Sequence, residues 1–132
     1  MNAFFRHFSK LTAIAPLAIA LATGASAQAP YPNRNITLVL PFAAGSGTDT
    51  TTRLIGKEVA SALGVSAVID NKAGANGSIA ASYVARSAPD GYTLFVTTNT
   101  THSANPYLLK TMSYDPIKDF TPIARTGDLP FM

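Results

Sequence analysis

Cysteine and tryptophan are both absent from this 132-residue sequence. Without cysteine, no disulfide can stabilise the chain, so the fold must be held together by a hydrophobic core. The absence also removes any thiol that could carry a lipid, and leaves no cysteine-based zinc cluster. We therefore expect no metal site and a protein that diffuses freely.

Long apolar runs are missing as well. The longest, residues 11–22, falls short of the roughly 20 residues that a membrane-spanning helix needs, and Pro16 interrupts it. Arg6 and Lys10 precede this run, and an A-x-A cleavage signal follows at residues 25–27. This order predicts a secretory signal peptide over residues 1–27 that is cleaved after export, and hence a periplasmic location.

Charge of one sign is also scarce. The chain carries ten basic and seven acidic residues, a net charge of +3. Removal of Arg6 and Lys10 with the signal peptide leaves eight basic and seven acidic residues, interspersed along the chain. No basic stripe with interleaved aromatic residues is present, so there is no support for a nucleic-acid partner.

The remaining sequence alternates strand and helix patterns. Apolar and β-branched residues predict strands over 36–40, 66–70 and 92–97, and suggest a fourth over 122–125. Between the first three, Thr48 or Asp49 is a suitable N-cap for one helix, and Asn76 or Ser78 for another. The pattern predicts an α/β fold with a parallel sheet wound with helices.

Each helix also has an expected inner face. In the first, Ile55, Val59 and Leu63 recur at four-residue steps, with Ala62 beside them, and Gly64 is placed to end the helix in a left-handed conformation. In the second, the apolar stripe comprises Ile79, Tyr83 and Val84. A glycine inside the first helix, Gly56, costs about 1 kcal/mol relative to alanine.

Two loops of small and polar residues, 43–49 and 97–102, directly follow strands. In a parallel sheet these loops lie at the same edge, where ligands bind outside the carboxyl ends of the strands. Glycines let the backbone approach a ligand, and a helix N-terminus favours an anion. The candidate ligand-binding residues are Ala44, Gly45, Ser46, Gly47, Thr48, Asp49, Thr98, Asn99, Thr100 and Thr101.

Four segments carry a family resemblance. Residues 38–49 (LVLPFAAGSGTD), 69–77 (IDNKAGANG), 89–94 (PDGYTL) and 114–123 (YDPIKDFTPI) occur in the order found in the tripartite tricarboxylate transporter substrate-binding proteins, or Bug family. The sequence resembles that family over nearly all of residues 28–132. It departs from it at Ser46 and at Asn76, where family members usually have glycine or another small residue.

The resemblance implies the first, N-terminal lobe of a two-lobe fold similar to type II periplasmic-binding proteins. Residues 28–132 would form that lobe, with the chain truncated before the second. It also implies a monomeric receptor without cofactor or catalysis, which captures a small organic acid for membrane components of a secondary transporter. The family holds carboxylates mainly through backbone and water, and neither candidate loop contains Arg or Lys. The ligand's identity stays open.

Two residues admit more than one interpretation. Asp49 is explained by helix capping, which we favour, or by contact with a ligand's ammonium or hydroxyl group. His102 is the only histidine after the signal peptide, so a structural or rim role is favoured over metal binding.

Alternative functions remain open. One is a ligand-presenting protein for a sensor kinase. Another is a dinucleotide-binding enzyme, because Gly45 and Gly47 follow a strand and Asp70 ends the next; against it, Thr50 replaces the third glycine. A hydrolase using Ser46, His102 and Asp119 is weaker, since Ala44 and Thr48 stand where a nucleophile elbow has glycines.

Overall fold

A computed structural model describes residues 30–128. The predicted signal peptide, residues 1–27, lies outside the described residues. Within residues 30–128, three strands and three helices follow one another, with a 3₁₀ turn before α2 and a π-helical turn before α3. In chain order they are β1 (Ile36–Leu40), α1 (Gly47–Leu63), β2 (Ala67–Asn71), the 3₁₀ turn (Ala75–Gly77), α2 (Ser78–Ala85), β3 (Thr93–Phe95), the π turn (Thr100–Ala104) and α3 (Asn105–Leu108).

The three strands form a parallel sheet in the order β2-β1-β3. Leu40 lies opposite Asn71 of β2, and Val39 lies opposite Phe95 of β3. The chain therefore leaves β1 through α1 to reach one side of it, then crosses through α2 to reach the other. The predicted parallel α/β architecture is confirmed.

The central strand carries the core. Ile36, Leu38 and Leu40 form one buried cluster on one face of the sheet. Val39 is also fully buried and points to the opposite face, because side chains alternate along a strand. The cluster is completed by half-buried side chains of the flanking strands and loops, namely Val65, Ala67, Ile69, Tyr92, Leu94 and Val96.

Helix α1 turns a different face to the sheet from the one predicted. Thr52 and Gly56 are buried, whereas Val59 and Leu63 are 36% and 41% exposed. A Cβ atom placed on Gly56 would lie 3.0 Å from Leu38 Cδ1. The helix thus approaches the sheet too closely for a large side chain at this point. Of the predicted inner face, Ile55 is half-buried, but the prediction was wrong for Val59, Ala62 and Leu63, which are exposed.

Helix α2 shows the same behaviour. Its fully buried residues are Ala80 and Ala81, while the predicted stripe residues Ile79 and Tyr83 are exposed and Val84 is half-buried. Small side chains let this short helix lie against β1 and β3, with which it makes its sheet contacts. The predicted stripe was therefore wrong for Ile79 and Tyr83.

Several predicted boundaries also need correction. Helix α1 is capped by Ser46 rather than by Thr48 or Asp49: the Ser46 Oγ atom accepts a hydrogen bond from the Asp49 backbone N–H at 3.2 Å. At the start of α2 the cap is Gly77, with no side-chain hydrogen bond, rather than Asn76 or Ser78. Residues 121–128 are exposed and contain no strand, so the fourth strand predicted over 122–125 was wrong. Gly64 ends α1 in the left-handed conformation as predicted.

The PDGYTL segment forms a clasp at the amino edge of the sheet. Arg34 pairs with Asp90 at 2.7 Å and stacks 4.1 Å above the Tyr92 ring. The Tyr92 hydroxyl accepts a hydrogen bond from the Asn33 N–H at 2.9 Å and donates one to the Asn33 Oδ1 atom at 3.0 Å. These contacts tie the residues before β1 to the residues before β3, at the end of the sheet remote from the carboxyl edge.

Candidate functional site

A cavity of about 160 Å³ opens at the carboxyl edge of the sheet. Loops that follow all three strands enclose it. Its lining consists of Pro41 and Phe42 after β1, Gly74, Asn76 and Gly77 after β2, and Thr98, Thr100 and Thr101 after β3.

The topology explains this position. β1 lies between β2 and β3, and successive connections run to opposite sides of it. The cavity therefore lies outside the carboxyl ends of the strands, which is the usual ligand position in open parallel sheets. The Val96 N–H donates to the Val39 carbonyl at 2.9 Å, so β1 and β3 stay paired up to the mouth of the cavity.

None of the lining side chains is charged. The polar groups offered to a ligand are threonine hydroxyls, the Asn76 amide and backbone atoms. Beside them α2 begins at Ser78, with Gly77 as its N-cap and no capping side chain, while the Gly77 and Ser78 N–H groups donate to the Gly74 and Ala75 carbonyls of the preceding turn. A helix N-terminus carries a partial positive charge of roughly half a unit, so this end of the cavity favours an anion.

Gly77 is the point at which the three loops meet. Its φ is +82°, and a Cβ atom there would lie 2.6 Å from Thr101 Cγ2 and 3.1 Å from Pro41 Cβ. Neither the backbone conformation nor the space suits a side chain. Glycine at this position therefore allows the turn after β2 to close against the loops after β1 and β3.

The loop after β3, residues 97–102 (the threonine loop), is stabilised mainly by hydrogen bonds between its own side chains. The Thr101 Oγ1 atom lies 2.9 Å from Thr97 Oγ1 and 2.8 Å from His102 Nδ1. The His102 ring packs against both Phe95 and Phe120, with ring centroids 6.0 and 4.9 Å away, and burial lowers the pKa of this histidine below its usual value. His102 thus supports the loop from behind, in agreement with the structural role favoured from sequence.

The first candidate loop lies outside the lining. Ala44, Gly45 and Gly47 are exposed, Ser46 and Thr48 are half-buried, and Asp49 is buried. In the second loop Thr98, Thr100 and Thr101 line the cavity, whereas Asn99 is exposed and does not. Contact of any of these ten candidates with a ligand stays a prediction.

Asp49 shows why the first loop differs from the second. Its side chain is only 2% exposed and accepts hydrogen bonds from Arg53 Nε (2.9 Å), the Gly45 N–H (2.8 Å) and Asn71 Nδ2 (3.0 Å). Arg53, followed by these other donors, lowers the pKa of Asp49 to about 2. The protein's own carboxylate therefore occupies the donors around the loop before α1. Asp49 has a structural role, but it is not the helix cap favoured from sequence, because Ser46 is that cap.

The Asp49 carboxylate also argues against the dinucleotide-binding enzyme considered from the sequence. Its negative charge lies where the pyrophosphate of a dinucleotide would approach Gly45. The candidate hydrolase residues are also committed elsewhere, since the Ser46 Oγ atom accepts from the Asp49 N–H and His102 Nδ1 pairs with Thr101. Within residues 30–128, no helix is both long and apolar enough to cross a membrane, and no group of three His, Asp or Glu side chains is placed to hold a metal ion.

The turn after β2 was missing from the sequence-derived site. Gly74, Asn76 and Gly77 line the cavity, as do Pro41 and Phe42 at the end of β1. The signal was present in the sequence, because the rule that loops after parallel strands share one edge applies to β2 as well.

Residues 51–132 match the profile of the tripartite tricarboxylate transporter family receptor. The chain belongs to this family. It is also 39% identical over 111 residues to a UPF0065 protein of Bordetella bronchiseptica, covering 84% of this chain and 33% of that protein. The family is one of solute-binding proteins, and its members, such as BugD, are periplasmic binding proteins.

Two solved structures from Rhodopseudomonas palustris contain ligands. MatC with bound malate is 49% identical with a TM-score of 0.66, over 70% of this chain and 31% of MatC. Rpa4515 with adipate is 46% identical with a TM-score of 0.63, over 66% of this chain and 29% of Rpa4515. The chain thus spans a quarter to a third of the length of the curated relatives and solved structures it matches.

Proposed function

We propose that this protein captures a small organic acid in the periplasm and delivers it to the membrane components of a tripartite tricarboxylate transporter. The observation that carries the proposal is the uncharged cavity at the carboxyl edge of the sheet, beside the N-terminus of α2. Malate in MatC and adipate in Rpa4515 support a carboxylate as the ligand.

The cavity suits a carboxylate chemically. A carboxylate leaving water must exchange its hydration for hydrogen bonds, and backbone N–H groups and threonine hydroxyls supply these without an ion pair. Neutral donors bind an anion less tightly than an arginine would, which suits a carrier that must release its cargo. At about 160 Å³ the cavity can hold one carboxylate group together with bridging waters, since each water takes about 30 Å³.

We propose further that residues 28–132 form the first lobe of a two-lobe receptor, after cleavage of a signal peptide over residues 1–27. The cavity is open on one side, and a second lobe would enclose the rest of the ligand. The first candidate loop, residues 44–49, lies at the same edge of the sheet and would face such a lobe. No catalytic step is part of this function.

Titration of the full-length protein with malate, followed by calorimetry, tests the proposal. Thr100→Val removes a hydroxyl from the cavity lining and keeps the side-chain shape. Loss of one hydrogen bond to a charged group should weaken malate binding roughly tenfold. The matched control is Thr111→Val, because Thr111 is exposed and does not line the cavity.

If the wild type binds malate and both Thr100→Val and Thr111→Val bind it equally tightly, the ligand does not bind in this cavity. Absence of binding to malate, succinate and adipate by the wild type would contradict carboxylate capture itself. Succinamide, which has the shape of succinate without its charge, should bind more weakly than succinate if the anion is what the cavity recognises.

A further inference from the structure

Two buried residues behind the cavity join its walls. Asn105, at the start of α3, is fully buried, and Tyr114 is 6% exposed. The Tyr114 hydroxyl donates to the Thr101 carbonyl at 2.7 Å. Asn105 Nδ2 donates to the Asn76 carbonyl at 2.9 Å and to the Tyr114 hydroxyl at 3.0 Å. Neither residue lines the cavity, but each donates a hydrogen bond to a residue that does: Asn105 to Asn76, and Tyr114 to Thr101.

The turn after β2 needs an external support. Ala75 and Asn76 have φ values of +48° and +51°, in the left-handed region that residues with a side chain rarely adopt. Two such residues in succession persist only where the surroundings determine their conformation. The hydrogen bond from Asn105 to the Asn76 carbonyl supplies such a constraint within this turn, and it fixes the direction in which the turn presents its backbone.

Within residues 30–128, the Asn105 side chain forms hydrogen bonds only through its Nδ2 amino group. Its Oδ1 atom is buried and accepts no hydrogen bond within residues 30–128. The Nδ2 hydrogen bonds to Asn76 and Tyr114 therefore determine the amide's position. The pair therefore links the turn and the threonine loop rigidly.

We propose that Asn105 and Tyr114 are positioning residues, which set the separation between the turn at Ala75–Gly77 and the loop at Thr98–Thr101 and so determine the length of ligand accepted. This inference rests on the proposed carboxylate-binding function. The two walls belong to segments after different strands, and they lie so close that a Cβ atom on Gly77 would be 2.6 Å from Thr101 Cγ2. Loss of the pair would let the walls move apart.

The test compares two Tyr→Phe variants in the full-length protein. Tyr114→Phe removes the hydroxyl that joins Asn105 to Thr101 and keeps the ring packed against Phe120. Tyr92→Phe is the matched control, because it removes a hydroxyl with two hydrogen bonds in the clasp at the opposite edge of the sheet. Both variants should lose stability, but only the first should alter the site.

The measurements are affinities for malate and adipate, which differ in length, and hydrogen exchange at the Gly77 and Ser78 amides. For Tyr114→Phe we expect the malate-to-adipate affinity ratio to change roughly three- to tenfold, as for the loss of one hydrogen bond, and the two amides to exchange several-fold faster. Tyr92→Phe should change neither. Asn105→Leu breaks the same link from its other end and should reproduce the Tyr114→Phe result.

Three outcomes separate the inference from the function on which it rests. A wild-type affinity ratio and wild-type exchange in Tyr114→Phe would overturn the positioning role. Equal changes in Tyr114→Phe and Tyr92→Phe would overturn it too, since general loss of stability would then be the cause. If the wild type binds neither acid, the proposed function fails, and faster exchange in Tyr114→Phe alone would still support the positioning of the turn.

Discussion

At the scale of single residues, Asp49 in the first turn of α1 joins the loop after β1 to β2. Its carboxylate joins Gly45, Arg53 and Asn71, and Asn71 Nδ2 in turn donates to the Phe42 carbonyl at 3.0 Å. Since Phe42 lines the cavity, this network connects the start of α1 with one wall of the site. Asp49 thus fixes the loop through hydrogen bonds in which a neutral side chain could not fully replace it.

The pH dependence of stability should reveal this network. The pKa of Asp49 is about 2 in the folded protein against 3.8 as the reference value, so the folded state favours the ionised form. The stabilisation is present above about pH 4 and is lost as the pH falls toward 2. Urea unfolding of wild type and Asp49→Asn across this range should show a difference that is largest at neutral pH and shrinks on acidification.

Glu58→Gln is the control for Asp49→Asn. Glu58 is an exposed carboxylate on the same helix and forms no ion pair among residues 30–128. Its replacement should leave the pH profile nearly unchanged. A constant difference between wild type and Asp49→Asn from pH 7 to pH 2 would show that ionisation of Asp49 does not stabilise the fold.

At the scale of elements, the sequence predicts which segments form helices and strands better than it predicts their faces. The strand at Ile36–Leu40 and the left-handed end of α1 at Gly64 agree with the structure. The helix faces disagree, because hydrophobic periodicity weights large side chains, while Gly56, Ala80 and Ala81 make the closest contacts. A helix that lies close to the sheet needs small residues at the contact, and the spacing of large apolar side chains does not reveal where that contact lies.

Gly56 should therefore tolerate no larger side chain. Gly56→Val would raise helix propensity, but its Cβ atom alone would lie 3.0 Å from Leu38 Cδ1, and its methyl groups would add to this crowding. Overpacking of this kind lowers the free energy of unfolding by roughly 1–3 kcal/mol. Ala62→Val, on the exposed side of the same helix, controls for the β-branched side chain and should cost less than about 0.7 kcal/mol.

Chemical denaturation at pH 7 measures both variants. Equal stability of Gly56→Val and Ala62→Val would contradict the close approach of α1 to the sheet. It would instead support the face predicted from the sequence, in which Ile55, Val59 and Leu63 point inward.

At the scale of the whole molecule, alternation of strands and helices predicts both the parallel sheet and the edge at which the cavity opens. Three of the eight residues that line the cavity also follow from the sequence, since Thr98, Thr100 and Thr101 lie in the loop after β3. The backbone conformation of the turn after β2 does not follow from residue types alone, because Asn105, 29 residues away along the chain, donates a hydrogen bond to it. The commitment of Asp49 to its own loop likewise depends on Asn71, 22 residues away.

The central claim is that a carboxylate binds between the turn after β2 and the loop after β3. Titration of the isotopically labelled full-length protein with malate, followed through backbone amide chemical shifts, tests it most directly. We expect the largest shifts at Gly77, Ser78 and Thr100, with little change at Tyr92 in the clasp. Saturable shifts confined to residues away from the cavity, with Gly77 and Thr100 unmoved, would contradict this claim.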